Sequence, residues 1–335
     1  MNNSINRLFS INDQMQFLKT HFPNDPVMYK QYEEILNKHS SYPSIHTQKQ
    51  FSTVMNTFFK EDNMDYFVRL LSIIQYTIKR KDSAKLLTLL TRIKGDDKVY
   101  YKELHNFMRK TKHSNSEKKQ TQADFIYHNL MSHVFKKSDF KINKLMDIGC
   151  GNGMKAGMLG KMYGLDKSQI ICADIEKWFD YDDIERNKRQ ITLLPINKKG
   201  KITDIHGKIN IITLIHTMHH WCYDLTQEYV ERMKSIHDIL DDQGVVAILE
   251  HDTITDIDSC LLDIEHGLWE NVIKLNRKTF YDTFTSKYLN FIELDMIMNE
   301  SGFEMIHRKY FNAGMIHKIM IPDKSYLSVY RKRSI

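Results

Sequence analysis

Two rhythms of apolar and polar positions divide this chain. Over residues 1–110 the apolar side chains recur at helical spacing. Phe67, Leu70, Leu71, Ile74 and Ile78 fall at i, i+3, i+4, i+7 and i+11, which is one face of a helix. Further helices are predicted at about 26–38, 45–60, 83–93 and 99–109. Asp25 caps the first, with Pro26 at its first helical position, and Asp82 or Ser83 caps the fourth. The run from Arg109 to Thr121 is polar and aperiodic, so residues 111–121 read as a linker. Beyond it the texture changes. After a helix at about 122–136, short apolar runs at 143–148, 169–174, 190–195, 209–215 and 244–250 alternate with helical patterns at 154–163, 180–188, 225–240 and 256–275. That alternation predicts a parallel α/β sheet. A helix at 291–301 is followed by two strand patterns, Phe303 to Tyr310 and Tyr326 to Arg331. The loop between them lacks a helical pattern, which predicts an antiparallel C-terminal edge strand on an otherwise parallel sheet. The expected division is a helical domain at 1–110, a linker at 111–121 and an α/β domain at 122–335.

Composition narrows this picture only slightly. The 335 residues hold 41% hydrophobic and 27% charged side chains, ordinary for a globular chain, and supply ample material for a core. The formal charge of +6 permits an anionic partner without requiring one, because it is spread along the chain. Four cysteines without paired spacing point to a reducing compartment. No apolar run approaches the roughly 18 residues of a membrane helix, and Met1 to Gln14 is too polar for a signal peptide. A cytoplasmic location without membrane attachment is expected; oligomeric state is not readable.

The strongest chemical signal is Met146-Asp147-Ile148-Gly149-Cys150-Gly151-Asn152-Gly153. An apolar strand runs directly into a turn with glycine at alternate positions, and a helical pattern follows at once. Such a turn lets backbone approach a ligand where a Cβ would clash, and the helix start turns free N–H groups towards it. Asp174 ends the next apolar strand, 21 residues after Gly153, where a carboxylate can accept from ribose hydroxyls. A dinucleotide fingerprint needs Gly-x-Gly-x-x-Gly, and the third glycine here falls one residue too early.

These residues resemble the class I S-adenosylmethionine-dependent methyltransferases, whose pattern hydrophobic-Asp-hydrophobic-Gly-x-Gly-x-Gly is met at every position. The likeness covers about 122–335 and extends to His216-Thr-Met-His-His-Trp221 after the fourth strand and to Gly302-Phe303 before the sixth. It implies a Rossmann-like fold with a seven-stranded, mostly parallel sheet, S-adenosyl-L-methionine as cofactor and transferase activity. It further implies cofactor contacts from Asp147, Gly149, Gly151, Asn152, Gly153, Asp174, Ile175 and His216. The acid commonly found after the third strand is missing, and Asn197 or Asp204 stands in for it. Asn210 replaces the acid that often opens the fourth strand. The N-terminal third matches nothing.

Candidate catalytic groups cluster at the ends of the fourth and fifth strands. His216, Glu250 and His251 lie where a general base for an acceptor hydroxyl or amine would sit. Asp252 serves equally well as a base or, with Thr253, as the cap of the next helix. His219 or His220 reads as a structural histidine in a capping turn. His216, His219, His220, Cys222 and His251 match no standard metal pattern, and no metal is expected. Asp263, His266 and Glu270 read as a solvated helix face. Three functions follow: a small-molecule methyltransferase, slightly favoured; an RNA-directed one; or a non-catalytic interaction module. The RNA reading would use Lys-rich segments at 79–86 and 108–119 with Tyr100, Tyr101 and His105 to hold the strand. The absence of Asn/Asp-Pro-Pro-Tyr after the fourth strand disfavours adenine amines and glutamine amides as acceptors, and His216 stands where ribose 2′-O enzymes carry an aspartate.

Overall fold

The structure is a computed structural model, and it describes residues 8–21, 23, 30, 116–135, 141–176, 179–186, 188–197, 202, 205, 207–221, 225–253, 259, 262, 287–311 and 325–333. The helices expected between 26 and 109 and at 256–275 lie almost wholly outside these residues, as do Cys222, Cys260, Asp204 and the group Asp263, His266 and Glu270.

In chain order the described elements are α1 (Ile11–His21), α2 (Ser116–Asn129), a π-helical turn (Leu130–Val134), β1 (Leu145–Ile148), α3 (Met154–Met162), β2 (Ile170–Asp174), α4 (Tyr181–Arg186), β3 (Thr192–Pro195), β4 (Ile209–Ile215), a 3₁₀ turn (Met218–His220), α5 (Thr226–Ile239), β5 (Leu240–His251), α6 (Phe291–Glu300), β6 (Phe303–Phe311) and β7 (Ser325–Lys332). The seven strands form one sheet in the order β3-β2-β1-β4-β5-β7-β6. β1 to β5 pair in parallel. β7 runs antiparallel to both β5 and β6, so the C-terminal strand lies one place in from the edge, slotted between them.

Strand alternation sorts the side chains onto two cores. Met146 and Ile148, Ile212 and Leu214, Val246 and Ile248, and Tyr326 and Tyr330 face one cluster, built with α1, α5 and α6. Leu145, Cys172, Ile211, Ile215, Ala247 and Leu249 face the other, built with α2 and α3. Period-two alternation over parallel strands buried on both faces is the reason β1, β4 and most of β5 read as continuous apolar runs. Asn210 Oδ1 accepts from the N–H groups of Asn143 and Lys144 at 2.8 and 3.0 Å, which ties the entry of β1 to β4.

Three boundaries differ from the sequence expectation. α2 begins at Ser116, inside the stretch read as a linker. β5 begins at Leu240, directly out of α5, and the Asp241-to-Gly244 stretch read as a turn lies within the strand opposite a shift of register between Ile209 and Ile211. A Cβ on Gly244 would stand 2.9 Å from the carbonyl oxygens of Ile209 and Asn210, so only glycine fits this close passage. Finally, α1 lies in the sequence range assigned to a separate helical domain, yet Leu18 is fully buried in the core of the α/β unit. Its Gln14 accepts from Asn290 Nδ2 at 2.9 Å, and Asn290 caps α6 by accepting from the N–H groups of Ile292 and Glu293. The N-terminal helix is thereby fastened to the start of α6.

Among the described residues no helix is long and apolar enough to cross a membrane, and both described cysteines, Cys150 and Cys172, are buried free thiols.

Candidate active site

The chain leaves β1, passes out to β2 and β3, and crosses back to β4 on the other side of β1. The crevice between the carboxyl ends of β1 and β4 is therefore a topological switch point, where ligands of open α/β sheets bind. The glycine turn opens on this crevice.

Each of the three glycines has positive φ, at 74°, 56° and 68° for Gly149, Gly151 and Gly153. Two are also sterically required. A Cβ on Gly149 would lie 2.3 Å from the Thr217 side chain, and one on Gly153 would lie 2.2 Å from Ile191 Cδ1. Around Gly151 nothing lies within 4 Å of such a Cβ, so this face of the loop is open to a ligand. The loop is fastened from below and from the side. Gly149 N–H donates to the Ala173 carbonyl at 2.7 Å, and Gly151 N–H donates to Asp174 Oδ2 at 2.7 Å. Asp174 Oδ1 accepts from Ile175 N–H at 2.8 Å. Asp174 thus joins the glycine loop to the end of β2, with two of its roughly four acceptor positions taken by these bonds. Ile196 N–H donates to the Asp174 carbonyl at 2.8 Å, and the next residue, Asn197, is exposed at the end of β3. Ile175 is half-buried beside it.

Asp147 lies under the loop. It pairs in register with Thr213, whose hydroxyl donates to Asp147 Oδ1 at 2.7 Å. Its second oxygen, Oδ2, is buried with no hydrogen-bond partner, although the residue is only 1% exposed. Burial pushes this carboxyl up to about 6, against the opposing pull of the Lys155 ammonium and the Thr213 hydroxyl. Lys155, in the first turn of α3, crosses the crevice and donates to the Ile215 carbonyl at the end of β4, at 3.0 Å. Asn152 Oδ1 accepts from Met154 N–H at 3.3 Å and from Lys119 Nζ at 3.1 Å. Lys119 belongs to the basic run read as a phosphate track; here it rests on the glycine loop.

The histidine cluster has a definite internal order. His216 follows β4 with a left-handed φ of 53°, unusual for a branched ring-bearing residue. Its ring Nδ1 faces His251 Nε2 at 2.9 Å, and the two ring centroids are 4.2 Å apart. His251 Nδ1 lies 3.4 Å from Ser325 Oγ. Glu250, 1% exposed, points to the opposite face of the sheet and is saturated with donors. Oε2 accepts from the N–H groups of Thr217 and Met218 at 3.2 and 3.0 Å; Oε1 bonds His219 Nδ1 at 2.7 Å and accepts from His251 N–H at 3.0 Å. Four donors on two oxygens fill a carboxylate. Glu250 thereby anchors the 3₁₀ turn that starts immediately after His216. His219 is the structural histidine of that turn. The ligating atoms of His216, Glu250 and His251 all lie within 4.8 Å of one another, close enough for a metal ion, but Glu250 could reach one only by releasing a donor it already holds.

Asp252 resolves in a way the sequence did not suggest. It accepts from Phe291 N–H at 3.3 Å and from Tyr310 OH at 3.1 Å, so it caps α6, almost forty positions downstream, rather than the next helix. Thr213, Lys155, Ser325 and Lys119 were missed altogether. Only Thr213 carried a signal: a hydroxyl in the middle of the apolar run Ile211-Ile-Thr-Leu-Ile215 demands a buried partner.

The chain matches no family model and no curated protein. Among solved structures it is similar to an S-adenosylmethionine-dependent methyltransferase from Clostridium acetobutylicum, at 9% identity over 64% of this chain and 92% of that one, with a TM-score of 0.41. It is similar also to the mitomycin 7-O-methyltransferase MmcR, at 11% identity over 90% of this chain and 75% of that one, with a TM-score of 0.43. With the pyocyanin biosynthetic protein PhzM the identity is 11% and the TM-score 0.40, and the match spans 76% of this chain but only 59% of PhzM. Likenesses this distant do not carry an activity across. The fold stands on its own strands: a Rossmann-like α/β sheet of seven strands with a glycine loop leaving β1, which is the architecture the sequence resemblance implies.

Proposed function

We propose that this chain is an S-adenosyl-L-methionine-dependent methyltransferase that acts on a small molecule. The observation that carries the cofactor reading is the union of Asp174 with the open glycine loop at the switch point. A carboxylate held by Gly151 and Ile175 N–H groups keeps acceptor capacity for ribose hydroxyls, beside a loop face that admits a ligand. The buried, unpartnered Oδ2 of Asp147 suits a cationic group in the same crevice. The residues present thus fit the cofactor, which supplies an electrophilic methyl group.

What the protein adds is orientation and a place for a proton. The His216–His251 pair stands at the ends of β4 and β5, next to the crevice, and one imidazole lone pair of such a pair can receive the proton of an acceptor hydroxyl. Glu250 holds the turn that places His216 and makes no contact with the reacting groups. The His216 side chain is 14% exposed and that of Glu250 2%, so the pair is recessed, which suits an acceptor small enough to enter.

The test is calorimetry of the full chain with S-adenosylmethionine and S-adenosylhomocysteine, followed by a radiolabelled methyl-transfer screen over phenols, carboxylic acids, amines and RNA. Micromolar binding of both with label on a small hydroxylated compound supports the reading. Label on RNA alone would move it to the RNA-directed class, and failure to bind either nucleoside would leave an interaction module.

A further inference from the structure

Lys155 is in an awkward place for a cation. It sits in the first turn of α3, at the end of the helix dipole that repels positive charge. Instead of reaching for solvent, its side chain spans the crevice from the glycine loop to the last carbonyl of β4, Ile215 O, at 3.0 Å. Below it lies Asp147, whose Oδ1 is bound to Thr213 and whose Oδ2 is buried without a partner. A buried carboxylate oxygen left without a donor costs stability, typically about 1–3 kcal/mol or more for a charged group. An acceptor without a donor, an ammonium that reaches over it and a backbone carbonyl beyond are therefore collected in one crevice. Together they are complementary to a zwitterion: a ligand ammonium is met by Asp147 Oδ2 and the Ile215 carbonyl, and a ligand carboxylate by Lys155.

We propose that Lys155 is the residue that recognises the α-carboxylate of the amino-acid end of the cofactor, with Asp147 as its counterpart for the α-ammonium. This rests on the cofactor reading above. Without ligand, Lys155 donates to the Ile215 carbonyl that the incoming ammonium will use. On binding, it yields that carbonyl and turns to the carboxylate, so the same crevice stays neutral in both states. The helix start reinforces the carboxylate side, since α3 has no side-chain cap hydrogen bond from its N-cap residue, Gly153. Selection then falls on the amino-acid end of the ligand and not on its nucleoside.

The experiment compares dissociation constants of S-adenosylmethionine and of 5′-methylthioadenosine, which keeps the nucleoside and lacks the amino acid, for wild type, Lys155→Met and Asp147→Asn. The expected result is that Lys155→Met weakens S-adenosylmethionine by tenfold or more and methylthioadenosine by less than threefold, with Lys155→Arg restoring most of the loss. Asp147→Asn should show the same selectivity and provides a second variant should Lys155→Met fold poorly, which thermal melting will reveal. If wild type binds both ligands and the variants weaken both equally, or neither, this inference is overturned while the cofactor reading survives. If wild type binds neither ligand, the cofactor reading itself falls and takes the inference with it.

Discussion

His216 Nδ1 and His251 Nε2 stand 2.9 Å apart although 35 positions separate them in sequence. Parallel pairing of β4 with β5 brings the two strand ends together, and the strained φ of His216 turns its ring onto its partner. At this distance one proton must lie between the two nitrogens, so the pair behaves as one acid–base unit. Replacing His251 by Phe should leave S-adenosylmethionine affinity within about threefold and lower single-turnover methyl transfer by about 10²–10⁴. Equal loss of binding and turnover would place the pair in the cofactor site and not at the acceptor.

Glu250 should behave as an anchor. An amide in its place keeps the shape but directs an NH₂ group at donors that now face a carboxylate, leaving backbone N–H groups of Thr217 and Met218 unbonded. Glu250→Gln is expected to cost about 2–4 kcal/mol in chemical denaturation, because a buried charge network is broken from one side. A variant as stable as wild type but inactive would mean that Glu250 works on substrate directly.

Asp147 predicts a pH dependence of cofactor affinity. Its carboxyl is raised from 3.8 to about 6 by burial, so without ligand the folded protein disfavours the ionised form. The sign for stability follows: relative to acid conditions, this group destabilises the ligand-free fold as pH rises from about 4 through about 6. A cationic ligand group reverses the preference by pairing with the ionised carboxylate. Affinity for S-adenosylmethionine should therefore climb between about pH 5 and 7 in wild type, and the climb should flatten in Asp147→Asn when followed by calorimetry. An unchanged profile in the variant would remove Asp147 from the ammonium site.

The glycines of the loop should separate into two kinds. Gly149→Ala meets Thr217 at 2.3 Å in addition to its positive φ, whereas Gly151→Ala carries only the φ penalty and projects into open space. Thermal or urea unfolding should show a loss of about 2–4 kcal/mol for the former and about 1–2 kcal/mol for the latter. Cofactor binding should suffer disproportionately in Gly151→Ala, since its methyl group enters the face left for the ligand.

Much of the α/β unit was legible because its local patterns agree with its global pairing. β4 was expected at 209–215 and occupies Ile209–Ile215; α3 and α6 are each placed within a residue at both ends. Strands buried on both faces are written as apolar runs, and a helix that packs on one side must repeat at 3.6, so both are readable one segment at a time. The glycine loop was legible for the same reason: positive φ and close approach restrict the residue type at the position itself. Errors arose where the constraint comes from elsewhere in the chain. Gly244 reads as a turn, but its neighbours are carbonyls of β4. Asp252 reads as the cap of whatever follows it, but its partner is the distant α6.

What the sequence determined alone was the alphabet of elements, their order, and the glycine turn with an acid at the end of the next strand. All of these depend on interactions within one element or between an element and its own turn. Tertiary structure alone decided which polar groups share a site. It set Lys155 over Asp147, sent Glu250 to the turn after β4 in place of the pocket, and joined α1 to α6 through Gln14 and Asn290. Those choices rest on hydrogen bonds between residues 32 to 276 positions apart. A buried donor or acceptor announces in the sequence only that it needs a partner; which partner it receives is settled by the packing of the sheet and helices.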